Sequence, residues 1–146
     1  MTNTQSVAAA AGRLLMSIIF VLAGLQKLGT AGYTVAYMAS HGLPAPALAT
    51  AVAIVVECVG GALVLAGYQA RRVGLLLAIW CVVTAVIGHS QVADPNQMAH
   101  FLKNLAVAGG FLLLFAFGPG AWSIDARTAR GHSRRSRIPG VDASSI

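Results

Sequence analysis

Residues 47–67 read ALATAVAIVVECVGGALVLAG: 21 positions with a single charged side chain, Glu57, at the middle. As a helix rising about 1.5 Å per residue, this stretch crosses the roughly 30 Å hydrocarbon layer of a bilayer. Glu57 then lies about 15 Å from either end. Three further blocks have the same character. They cover residues 8–28, most apolar at 14–25; residues 73–91, inside a run 73–93 without Asp, Glu, Lys or Arg; and residues 98–117. None shows the alternation of a barrel strand. The spacing therefore predicts an all-α protein, a bundle of four transmembrane helices.

The intervening sequence suits that division. Gly29-Thr30-Ala31-Gly32 ends the first block, and Leu43-Pro44-Ala45-Pro46 leads into the second. Proline is tolerated at a helix start and stops a helix elsewhere. Asp94-Pro95-Asn96 marks a turn, and Gly118-Pro119-Gly120 closes the fourth block. The chain divides into an N-terminal segment 1–7, a membrane domain 8–126 and a basic tail 127–146, the tail expected to be disordered. No basic segment precedes Ala8 and no small-residue cleavage site follows the first block, so that block is expected to remain as an uncleaved helix.

Composition excludes the other broad classes. Of 146 residues, 57% are hydrophobic and 10% charged, against roughly 25% charged in soluble domains. A short chain needs more polar cover than a long one, so the solvent for this surface is lipid. The net charge of +6 does not point to nucleic acid, because five of the eight arginines follow residue 126 and no basic stripe is interleaved with aromatics. Arg13, Arg71, Arg72, Arg127, Arg130, Arg134, Arg135 and Arg137 all fall on one side of a four-span topology, with Lys27 and Lys103 on the other. The positive-inside bias puts both termini in the cytoplasm. The outer loops, about 29–46 and 92–97, carry no Lys or Arg.

An ionised carboxylate at the depth of Glu57 is costly unless paired or hydrated. It either stays protonated or meets a cation. It can serve as a pin between helices or as a contact for a proton, ion or substrate. On the first helix Arg13, Ser17, Phe20, Gly24 and Lys27 share one face, the small and polar character of which suits a bundle interior. The corresponding stripes are Ala53, Glu57, Gly60, Gly61 and Val64 on the second; Thr84, Gly88 and Gln91 on the third, with His89 beside them; and His100, Lys103, Asn104, Val107 and Gly110 on the fourth. Gly24, Gly60, Gly61, Gly109 and Gly110 are the expected close-packing positions. Arg13, with its planar fork, is favoured as the direct partner of Glu57, Lys103 sharing the pocket from above and Lys27 snorkelling to the outer interface. His89 and His100 lack metal-site spacing. Cys58 and Cys81 form no CxxC and read as small buried hydrophobes.

Taken in order, these pieces resemble the DoxX family of small four-helix membrane proteins. The resemblance is carried by Gly12-Arg13-Leu14-Leu15, Gly24-Leu25-Gln26-Lys27-Leu28, Glu57-Cys58-Val59-Gly60-Gly61, His89, Phe101-Leu102-Lys103-Asn104-Leu105, Gly118-Pro119-Gly120 and Ser123-Ile124-Asp125, over residues 12–126. It implies a multi-pass protein of the bacterial inner membrane, with Arg13, Lys27, Glu57, His89, Lys103 and Asn104 at the family's polar positions. The family takes its name from a subunit associated with a terminal quinol oxidase, and a related family acts in thiosulfate:quinone oxidoreduction. The resemblance thus implies an accessory subunit with a redox partner protein and room for a quinone.

No cofactor motif is evident in the sequence: it lacks a haem-ligand pair at matched depth, a dinucleotide fingerprint and a redox CxxC, which argues against a self-sufficient oxidoreductase. A small transporter using the buried carboxylate, or a structural or assembly protein, are the competing readings. The composition is compatible with a homo-oligomer.

Overall fold

The computed structural model describes residues 2–135. Six helices account for the secondary structure of these residues: α1 (Asn3–Gly29), α2 (Ala31–Ser40), α3 (Pro46–Ala66), α4 (Ala70–Gly88), α5 (Pro95–Phe117) and α6 (Ile124–Arg135). Four of them, α1, α3, α4 and α5, are long and apolar enough to cross a membrane. They are the four expected spans.

Their ends follow from local chemistry. α1 starts at Asn3 because Thr2 and Gln5 form a reciprocal capping box: Gln5 N–H donates to Thr2 Oγ1 (3.3 Å) and Thr2 N–H to Gln5 Oε1 (2.9 Å). The separate segment expected at 1–7 is therefore the first part of α1. α5 starts at Pro95, earlier than expected, since the Asp94 carboxylate accepts from Asn96 N–H (2.8 Å) and proline suits the first turn.

Two stretches expected to lack helix have it. The outer loop 29–46 contains α2. Thr30 breaks α1 with non-helical angles, and the chain restarts at once from Ala31. Gly29 and Gly32 thus mark a joint between two helices. In the basic tail, residues up to 135 belong to α6, started by Ser123, whose Oγ accepts from Ala126 N–H (3.2 Å). Residues 136–146 lie outside the described residues.

α1 packs along α3 and α4 along α5; α2 lies on α3, and α3 touches α4. Inside are small and polar residues with a few large ones: Ser17, Ala53, Gly60, Gly61, Val64, Leu77, Ala78, Cys81, Ala108 and Phe111. Phe20 and Phe111 join α1 to α5 edge to face, ring centroids 5.1 Å apart. Leu15, Leu22, Leu76 and Leu113 are exposed. In a bilayer that exposure is no liability, because lipid tails are as apolar as leucine, and helices associate instead through close backbone approach.

The buried residues of α1 and α3 reproduce the expected stripes almost residue for residue. A methyl on Gly24 would lie 2.5 Å from Cys58 Sγ and 3.1 Å from its backbone nitrogen; one on Gly61 would meet Val21, Phe20 and the Ser17 carbonyl. Gly60 is filled against by Leu77 and Gly110 by Met16. Gly109, expected to pack with them, has nothing within 4 Å of where its Cβ would stand. It lies one position, about 100° of helix, from the contact face. Gly24→Ala should destabilise the protein by about 1–3 kcal/mol through overpacking at the α1–α3 seam. Gly109→Ala should be neutral or stabilise by up to about 1 kcal/mol. Thermal unfolding in detergent measures both; equal stability of the two variants would place the seam elsewhere.

Candidate functional site

The close approach at Gly24 sets the geometry of the carboxylate. It brings α1 beside Glu57 and Cys58, and Lys27 stands one turn farther along the same face. Lys27 Nζ donates to Glu57 Oε2 at 2.8 Å, the one salt bridge among the described residues. Glu57 is 7% exposed, whereas the Lys27 side chain keeps 28% of its surface. The expectation that Arg13 pairs with Glu57 and that Lys27 snorkels outward is corrected here. Arg13 lies eleven residues before Gly24, about 16 Å along the helix, beyond the reach of its side chain.

The pair borders a cavity of about 500 Å³ in the half of the bundle away from Arg13, the outer half in the orientation expected from the arginines. Five of the six expected polar residues line it: Lys27 from α1, Glu57 from α3, His89 at the end of α4, and Lys103 and Asn104 from α5. Lys103 sits at the rim and is exposed, so it shares this cavity without turning fully inward. The rest of the wall is mostly apolar. Ile19, Leu48, Val52 and Val83 both line the cavity and are exposed on the outer surface, so the apolar wall continues onto the face that meets lipid.

One wall comes from a region that sequence reading left as loop. α2 and the following turn contribute Thr34, Tyr37, Met38, His41 and Leu43. Tyr37 O–H donates to the Gly88 carbonyl at 2.6 Å, tying α2 to the end of α4, and its ring lies against that of His41, centroids 4.2 Å apart and planes tilted by 34°. The usable signal was the i, i+4 spacing of Tyr37 and His41 between two glycine-marked breaks. At the rim the His89 and His100 rings stack with centroids 5.0 Å apart. His89 Nδ1 meets Gln97 Oε1 (2.7 Å), and Lys103 Nζ lies 3.2 Å from His100 Nδ1. An ammonium is donor-only, so His100 Nδ1 accepts and its proton sits on Nε2. His89 Nδ1 donates to the amide oxygen by the same reasoning. Gln91, expected on the α4 stripe, lies past the helix end and is exposed.

Arg13 belongs to the opposite end of the bundle. It is 4% exposed and donates through Nη2 to the Trp122 carbonyl. Its guanidinium lies against Gly67, where a side chain would collide with it and with Ser123. Nearby, Asp125 caps α4 from a distance. Its carboxylate accepts from Gln69 N–H (2.8 Å) and Ala70 N–H (2.9 Å), the donors that a helix start leaves orphaned. Gln69 has left-handed angles and gives α4 no side-chain cap of its own. Asp125 N–H donates in turn to the Gly67 carbonyl. Arg71 closes the end by donating to the Phe115 and Ala116 carbonyls of α5. The polar constellation is thus two sites, an outer cavity and an inner structural knot.

A family model described as DoxX matches residues 8–90. The chain belongs to the DoxX family. Lys27, Glu57 and His89 fall inside the matched residues, and Lys103 and Asn104 lie beyond them. Two proteins of Escherichia coli (strain K12) are similar over most of their length. Inner membrane protein YphA is 40% identical over 121 residues, 79% of this chain and 86% of its own. Inner membrane protein YqjF is 38% identical over 125 residues, 86% and 95% of the two chains. No solved structure is significantly similar to this DoxX-family chain. With four apolar spanning helices, it is a multi-pass protein of the inner membrane.

Breaking a buried pair costs about 3–5 kcal/mol, and the partial exposure of Lys27 lowers that to about 1–3 kcal/mol. Lys27→Met and Glu57→Leu should therefore destabilise singly and combine with a coupling of that size in a double-mutant cycle. Arg13→Met with Glu57→Leu should be additive. Thermal unfolding in detergent reads both cycles, and coupling in the second alone would reverse the assignment.

Proposed function

We propose that this DoxX-family protein is an accessory subunit of a quinone-linked redox system, holding a quinone headgroup in the outer cavity. The reading is carried by the apolar wall that runs from the lipid-facing surface to a cluster of Lys27, Glu57, Lys103 and Asn104. A lipid-soluble ligand can enter sideways from the bilayer along such a wall. The volume lies in the roughly 300–1,000 Å³ range of small-molecule sites.

The residues fit a quinone headgroup. Ammonium donors stand on two elements, Lys27 on α1 and Lys103 on α5, with the Asn104 amide beside the second. They can donate to carbonyl oxygens at two ends of a ring, while Phe20 and Trp80 supply aromatic surface. A bound quinone would supply two-electron, two-proton carrier chemistry. Glu57 holds Lys27 in place. Lys103, bonded to His100 at the exposed rim, links the site to the outer aqueous face for proton exchange. Electrons would come from a partner protein, as befits an accessory subunit.

The inner knot supports the expected orientation. Arg13, Arg71 and α6 lie at the end opposite the cavity, and the positive-inside bias favours that end as the cytoplasmic one, with both termini there and the cavity toward the outer leaflet. Reporter fusions at Ile146 and within residues 31–42 should report opposite sides; the same side for both would overturn this topology.

The functional test is extraction of the full-length protein in mild detergent, followed by quinone analysis and thermal shift with a short-chain quinone. Quinone should co-extract, and added quinone should raise the melting temperature. A saturating ligand at about 100 times its Kd stabilises by about 2.7 kcal/mol. Lys103→Met should weaken binding about tenfold or more, the worth of a charged hydrogen bond. Absence of both co-extracted quinone and thermal shift would refute the reading. Proteoliposome flux abolished by Glu57→Gln would favour a transporter instead.

A further inference from the structure

The inner end of the bundle carries a feature that the outer cavity does not use. In residues 124–135 the sequence has four arginines, Arg127, Arg130, Arg134 and Arg135, and one acid, Asp125. That acid is committed, because both its oxygens accept the backbone N–H groups that start α4. Its charge is spent on the helix terminus and on the nearby Arg13. What remains on α6 is positive.

α6 is also rooted. Ser123 is buried, its Oγ donates to the Gly120 carbonyl (2.7 Å) and accepts from Ala126 N–H. Arg13 holds the Trp122 carbonyl, and Asp125 N–H holds that of Gly67. These bonds fix the base of α6 at the level where α3 ends and α4 begins, which is where spanning helices leave the hydrocarbon. Around that base stand exposed Trp122, Ile124 and Phe117, residues suited to the headgroup boundary. Arg72, Arg127 and Arg130 are exposed beside them. Arg130 donates to the Ala121 carbonyl, while the Arg127 guanidinium has no side-chain hydrogen bond or ion pair among the described residues.

We propose that α6 is a membrane-surface helix whose Arg127 and Arg130 bind the phosphates of anionic phospholipid in the leaflet at this end of the bundle. The charge complementarity and the interfacial level of its base select lipid as the occupant. The inference is independent of what the outer cavity holds. Arginine matches phosphate oxygens with paired donors, and basic segments beside a membrane are drawn to anionic lipid over a Debye length.

Hydrogen exchange of the α6 backbone amides tests it, with the full-length protein in nanodiscs of phosphatidylcholine or of phosphatidylcholine with phosphatidylglycerol. Exchange should slow about tenfold in the anionic discs, as expected for two or more arginines near the surface. The slowing should vanish near about 1 M salt, where the Debye length is about 3 Å. Arg127→Gln, which leaves the rooting bonds untouched, should remove a substantial part of it. Equal exchange in the two lipids would overturn the proposal and leave a protein partner as the occupant. A difference that persists in high salt and in Arg127→Gln would overturn it as well.

Discussion

A carboxylate at mid-membrane depth has to be compensated, and the arrangement of this bundle follows from how Glu57 is. Its partner is Lys27, and the two meet because α1 and α3 touch at Gly24 with no side chain between them. The small-residue seam and the ion pair are one device. The glycine permits the approach, and the approach lets a lysine near the helix end reach inward by one turn. The pair then occupies the floor of the outer half, which stays open as a polar-floored cavity.

The two ends of the bundle use polar residues for different ends. At the inner end backbone takes up Asp125 on the start of α4, Arg71 on the last carbonyls of α5 and one amino group of Arg13 on Trp122, while Nε and Nη1 of Arg13 are buried without a hydrogen-bond partner among the described residues. Asp125 and Arg71 satisfy groups that a membrane-embedded helix terminus leaves without water. At the outer end the polar atoms of Lys27, Lys103, Asn104 and His89 surround space. Groups satisfied by backbone hold the fold, and groups lining a cavity remain available to a ligand. That contrast makes the outer end the candidate site.

The fold was legible because membrane spans are a matter of length and composition. Twenty apolar residues must be helix, since lipid offers backbone groups no other partner. The inward stripes of α1 and α3 were legible for a related reason: helical periodicity assigns Arg13, Ser17, Gly24 and Lys27 to one face whatever the neighbours are. α2 was hidden because Gly29 and Gly32 look like helix breakers, when one non-helical residue, Thr30, suffices to separate two helices. α6 was hidden because its cap, Ser123, lies in a polar stretch with no apolar periodicity to announce a helix.

The sequence by itself determined four spans and the inward stripes of α1 and α3, because the bilayer forces apolar stretches of this length into helix and helical periodicity fixes which residues share a face; the inner-membrane setting came from the family to which the chain belongs. Tertiary structure decided which cation meets Glu57, that Arg13 serves the opposite end, and that α2 walls the cavity. Those outcomes depend on the level at which two helices cross. That level is set by contacts such as Gly24 on Cys58, between residues 34 positions apart in the chain, and no periodicity within either helix encodes it.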